Sequence, residues 1–156
     1  MKALVVLLVL GGVAAADVHT NKAAQVTLEV PKTYKLTEEP DVMRGESADK
    51  AVALFYWNVD ASNADDAIKK LSSELYSSVG SLRWDKPTTA KLHGLPATWI
   101  DGTGRSVGNT LDLRVVVAGP TSTQRTVMVA AVVDHAKAGA HKAEIDGILK
   151  SLQPAK

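Results

Sequence analysis

Four histidines, His19, His93, His135 and His141, are the side chains best suited to metal or acid–base chemistry in this chain. A metal needs ligands brought to one face, by a His-x-x-x-His spacing or a paired carboxylate, and none of the four has such a neighbour. Asp134 and His135 are adjacent at the end of a predicted strand, where alternation sends them to opposite sides. Neither a metal nor a cofactor is expected. The Gly-x-Gly-x-x-x-Gly run at Gly102, Gly104 and Gly108 has the look of a phosphate loop. The segment after it reads as a strand, whereas phosphate binding needs a helix N-terminus to meet the charge, so a hairpin is predicted. There is no Gly-x-Ser-x-Gly elbow, and the absence of cysteine removes a thiol nucleophile and any disulfide. Glu38-Glu39 and Asp65-Asp66 fall in a predicted loop and a predicted helix N-terminus, where solvation and capping account for them. No catalytic residue is assigned.

The aromatic residues point to binding instead. Phe55 and Trp57 read as core. Trp84 follows a Gly-Ser break and precedes Asp85-Lys86-Pro87, which predicts partial exposure, and Trp99 alternates with Ile100. Trp84 and Trp99, with Arg83 and Arg105 nearby, form a candidate interaction patch.

These residues must be positioned by strands and helices that hydrophobic periodicity predicts. The three strands Pro96–Asp101, Leu111–Ala118 and Thr126–Val133 are expected to centre the only sheet. The runs Val115-Val116-Val117 and Val127–Val133 are apolar at both parities, as in strands covered on both faces. Val26, Leu28 and Val30 alternate with polar residues in an earlier strand that Pro31 stops. Lys35 to Pro40 reads as loop, Val42 to Ser47 as a short strand, and Ala51 to Val59 as a strand with two apolar faces. Asn63 caps a helix that buries Ala67, Ile68, Leu71 and Leu75, and Gly80 is placed to end it with a left-handed cap. His141 to Leu152 is a second helix, with Ile145, Ile148, Leu149 and Leu152 on one stripe. The expected fold class is α+β: an antiparallel sheet sandwiched between two amphipathic helices.

Of the 156 residues, 1–16 predict a signal peptide. Met1-Lys2 is the positive start, Ala3–Leu10 the apolar core, and Ala14-Ala15-Ala16 the small-residue site, with cleavage between Ala16 and Asp17. Asp17 to Ala24 is expected as a flexible lead-in and 25–153 as one domain, with no transmembrane segment after cleavage. Without Lys2 the chain carries 17 basic and 17 acidic residues, a balance unsuited to nucleic acid or an anionic membrane.

Several features together resemble the bacterial branch of the PsbP-like family, whose fold is shared with a nuclear Ran-binding protein of the Mog type. They are the strand Val26-Thr27-Leu28-Glu29-Val30-Pro31, the aromatic-rich strand before a capped helix, Gly94-Leu95-Pro96-Ala97 before the glycine-rich hairpin, and the closing Ile148-Leu149-Lys150-Ser151-Leu152. Exported bacterial proteins such as DcrB resemble this chain as well. The resemblance implies an α/β/α body and a role in protein binding or assembly; no partner-binding or metal residue of those proteins can be matched here. The expectation is a periplasmic or secreted, non-enzymatic binding or assembly protein with an envelope or secreted protein as partner. The alternatives are a small-molecule or lipid carrier, with a cleft lined by Tyr56, Trp57 and Trp84, and a hydrolase with an unrecognised site.

Overall fold

A computed structural model describes residues 15–40 and 42–156. Most of the expected leader therefore lies outside the described residues. Eight strands form one sheet, in the order β3 (Lys35–Glu38), β4 (Val42–Glu46), β5 (Val52–Val59), β10 (Thr126–Asp134), β9 (Asn109–Ala118), β8 (Leu95–Ser106) and β6 (Gly80–Trp84). The eighth, β7 (Thr88–Leu92), pairs with the first half of β8. Every pairing is antiparallel. The central β5–β10–β9–β8 stretch is where β-branched runs and two-sided apolar patterns concentrate.

That sheet is not the only one. A second, three-stranded sheet places β2 (Val26–Pro31) between β1 (Ala16–Asn21) and β11 (Gln153–Pro154). The expected flexible lead-in is thus largely β1, in register from Ala16 opposite Pro31 to Asn21 opposite Val26. Its residues are mostly exposed, Val18 included, so no buried apolar face announced it; backbone pairing with β2 holds it. Lys35–Glu38, expected as loop, is an edge strand whose charged residues suit a border position.

Alternation on the central strands divides the interior into two clusters. Val52, Leu54 and Tyr56 of β5, Val129 and Ala131 of β10, and Val116 of β9 pack with β2. The same cluster takes Ile145, Ile148 and Leu149 from the helix α2 (His135–Lys150). Val115, Val117, Met128 and Ala130 point to a second cluster, with Ala67 and Leu71 of α1 (Ala64–Leu75). The architecture is α+β, mostly antiparallel sheet with two helices.

Helix boundaries follow their caps. The Asn63 side chain accepts from the Asp66 amide at 2.9 Å, with Asp65 and Asp66 in the first turn. The far end is capped at Tyr76 with ordinary right-handed geometry, so Gly80 makes no left-handed cap and instead opens β6. Helix α2 starts six residues before the position expected. Asp134 caps it by accepting from the Ala136 amide at 3.0 Å. The following Ala136-Lys137-Ala138-Gly139-Ala140 carries no large apolar residue and hence no periodic signal, though alanine is the strongest helix former. No helix among the described residues is long and apolar enough to cross a membrane.

Candidate binding surface

The glycine run that suggested a long turn is mostly strand. β8 continues to Ser106, and only Val107-Gly108 turns, with φ of 49° and 83°, the double-positive geometry of a type I′ hairpin. Gly102 and Gly104 serve packing. A Cβ on Gly102 would stand 2.5 Å from Cε3 of the Trp84 ring, and one on Gly104 would collide with Val79. Glycine here lets β6 and its indole lie flat on β8.

Trp84 is therefore held on the α1 side of the sheet, half-buried, with Nε1 donating to Ser72 Oγ of α1 at 2.9 Å. Trp99 packs with the other cluster, where the Arg114 guanidinium lies 5.8 Å from its ring centroid. The expected patch divides accordingly: Arg83 and Arg105 are exposed, but the two tryptophans face opposite sides of the sheet. Packing on glycine-lined strands, which sequence spacing does not reveal, decided the matter.

What remains open on the α1 side is a groove. α1 covers β9 and part of β10 but stops short of β4 and β5, leaving a cleft of about 520 Å³. Its floor is Phe55, Trp57 and Ala130, its helix wall Leu71 and Leu75, and its rim carries Arg44 and Glu74. Phe55 and Trp57 meet edge-on, with ring centroids 6.5 Å apart, and both stay partly exposed. Of the three residues expected to line a carrier cleft, only Trp57 lines this groove. Tyr56 alternates to the opposite face, where its hydroxyl reaches the Val26 carbonyl at 3.4 Å and burial raises its pKa. Trp84 belongs to the α1 cluster outside the groove lining. Within the strand, Phe55 and Trp57 already read as core aromatics; that α1 leaves them half-covered is a tertiary fact.

The titratable residues gather elsewhere. Asp49, in the turn between β4 and β5, accepts from Ser47 Oγ at 2.7 Å and from the Ala51 amide at 3.1 Å, and meets His141 Nε2 at 2.9 Å. These hydrogen bonds, Ser47's first, hold its pKa well below the usual carboxylate range. The other nitrogen of His141 faces Glu144 Oε1 at 3.3 Å, and the same oxygen accepts from Tyr34 Oη at 2.8 Å. Burial first, and then the Glu144 carboxylate, push the Tyr34 phenol upward. A serine, a histidine and an aspartate do converge here, but in the wrong order for hydrolysis. The carboxylate stands between hydroxyl and imidazole, so His141 does not face the serine proton. The remaining histidines are dispersed: His19 lies 3.7 Å from Glu38, His93 beside the Lys150 carbonyl at 2.9 Å, and His135 beside Asp112 at 2.9 Å.

The arrangement of strands and helices has close parallels among solved structures. The cyanobacterial PsbP protein, CyanoP, of Synechocystis sp. PCC 6803 superimposes with a TM-score of 0.68 at 9% identity, over 91% of this chain and 94% of its own. The Ran-binding protein Mog1p of Saccharomyces cerevisiae gives 0.62 at 8% identity, over 92% and 97%. The fold is that of PsbP and Mog1. LpqN of Mycobacterium tuberculosis, a protein involved in cell envelope biogenesis, also takes this PsbP-like fold, with a TM-score of 0.55 at 10% identity over 91% of each chain. No protein-family model and no curated protein sequence matches the chain. The resemblance read from turns and core positions therefore holds at the level of fold.

Proposed function

We propose that this chain is an exported, non-enzymatic binding protein that receives an apolar segment of an envelope or secreted protein in the groove between α1 and strands β4, β5 and β10. The observation that carries the reading is the pair Phe55 and Trp57, two large aromatics left half-covered at the bottom of an open cleft. Apolar surface of this kind, rimmed by Arg44 and Glu74, is what a docking site presents before its partner arrives. The reading rests on a layered body, with α1 on one face of the large sheet and α2 with the small sheet on the other. Under it the leader is removed after Ala16 and the mature protein works in the periplasm or outside the cell. That CyanoP, Mog1p and LpqN share the fold supports a binding or assembly role by analogy.

A second reading, a carrier of a small apolar molecule, is favoured by the volume of the same groove, which exceeds the roughly 300 Å³ at which ligand pockets begin. A photo-crosslinking amino acid in place of Trp57, expressed in the native host, separates the two. A discrete protein adduct, absent when the crosslinker replaces exposed Tyr76, supports protein docking. Saturable binding of N-phenyl-1-naphthylamine to the purified protein, lost in Trp57→Ala and unaccompanied by an adduct, makes it a carrier. With neither, the groove has no binding role.

A further inference from the structure

His141 is the one histidine whose two ring nitrogens both face carboxylates among the described residues. Nε2 lies 2.9 Å from Asp49 Oδ2, in the β4–β5 turn, and Nδ1 lies 3.3 Å from Glu144 Oε1, one turn further along α2. A carboxylate oxygen only accepts, and a neutral imidazole carries a single N–H. Both contacts are hydrogen bonds only when the ring is the imidazolium. With one proton removed, a ring lone pair is set against an anion.

Neither carboxylate is free to turn away. Asp49 is fixed by Ser47 Oγ and the Ala51 amide, and Glu144 by the Tyr34 hydroxyl. The remaining charged group against Asp49 is Lys137 Nζ of α2, at 3.6 Å. The groups facing the imidazole thus come from three elements: Asp49 from the turn, Glu144 with Lys137 from α2, and Tyr34, through Glu144, from the turn after β2. The imidazole is largely enclosed, with 17% of its side chain exposed, so water substitutes poorly for either partner. Neither His141 nor Asp49 lines the groove between α1 and the sheet, which separates the cluster from it.

We propose that His141 is a proton-operated clasp, closed while the ring is doubly protonated, that ties α2 to the turn joining β4 and β5. The fold itself does not depend on it, because Ile145, Ile148 and Leu149 anchor the helix by burial. What changes on deprotonation is the grip on residues Ser47 to Ala51. The raised pKa of His141, caused chiefly by the Asp49 hydrogen bond, agrees in direction. The linkage has a definite sign. A histidine whose folded pKa lies above about 6.5 stabilises the closed clasp fully below that value. The contribution fades as pH rises through the folded pKa, and each unit of elevation corresponds to about a tenfold preference of the proton for the closed form.

The test uses the full chain without a partner. Ring ¹⁵N spectra of His141 should show both nitrogens protonated past pH 6.5, and the midpoint should fall in Asp49→Asn and again in Glu144→Gln. Amide exchange at Ala51 and Val52 should accelerate across the same midpoint beyond the intrinsic rise with pH, and His141→Gln should abolish that step. A His141 midpoint at or below 6.5 overturns the clasp. So does an exchange step that survives in His141→Gln, or exchange that follows the intrinsic rate throughout.

Discussion

Trp84 Nε1 and Ser72 Oγ, 2.9 Å apart, are a direct side-chain hydrogen bond between strand β6 and helix α1. The bond matters because α1 is otherwise lightly held, with Ala67 and Leu71 as its buried residues. Ser72 Oγ also donates to the Ile68 carbonyl at 2.7 Å, so its acceptor side is free for the indole. Trp84 thus joins an edge strand to the helix that forms one wall of the groove.

Trp84→Ala should destabilise the protein by about 2–3 kcal/mol, below the roughly 3–5 kcal/mol of a fully buried tryptophan because the residue is only partly buried. Trp84→Phe keeps most of the packing and should cost about 1 kcal/mol, the net worth of the lost hydrogen bond. Urea denaturation of both variants measures the difference. A Trp84→Phe variant as stable as the native chain would remove the Ser72 bond from the account.

Gly102→Ala should be destabilising by about 1–3 kcal/mol, the usual range for overpacking. The added methyl meets the indole of Trp84 and also the Arg83 carbonyl oxygen, 2.8 Å from the Cβ position. Combining it with Trp84→Ala should relieve the ring clash but not the backbone one, giving a sub-additive double-mutant cycle. Strict additivity would separate the two residues.

Val107 occupies a left-handed position, φ 49°, with its side chain 99% exposed at the β8–β9 hairpin tip. A β-branched residue there is strained and gains nothing by burial, whereas asparagine suits the first position of a type I′ turn. Val107→Asn should raise stability by about 1 kcal/mol, read as a higher urea midpoint at unchanged slope.

The acid limb of the stability curve should carry a contribution from Asp49. Its pKa is held well below the usual range by Ser47, His141 and the Ala51 amide. The stabilisation is present above the unfolded value of about 3.9 and is lost as pH falls through the depressed folded value. Urea midpoints followed from pH 5 down to 2 should therefore drop more steeply for the native chain than for Asp49→Asn. Parallel curves would remove Asp49 from the acid response.

Export, as proposed, fixes the mature N-terminus. Edman sequencing or intact mass should place it at Asp17, which leaves Asp17–Asn21 to pair with Val26–Val30 in the small sheet. A chain that retains Met1 in the native host would be unexported.

The sequence alone determined the strands and helices whose partners are implied by their own periodicity. β5, β9 and β10 are apolar at both parities, α1 has Asn63 and a helical stripe, and the closing helix has Ile145, Ile148 and Leu149. These signals are local, since each residue's burial follows from its neighbours two to four positions away. The resemblance to the PsbP-like family, carried by Val26–Pro31, Gly94–Ala97 and Ile148–Leu152, holds for the fold. Features that depended on distant residues were not written locally. β1 is largely exposed and exists by backbone pairing with β2, and the first turn of α2 is alanine-rich without a stripe. Gly102 and Gly104 are strand residues because an indole and a valine need the space of their missing side chains. The groove lies where α1 stops short of β4 and β5. The ring of His141 stands between Asp49, 92 residues away, and Glu144, three residues on, a meeting that only the packing of α2 beside the β4–β5 turn could bring about.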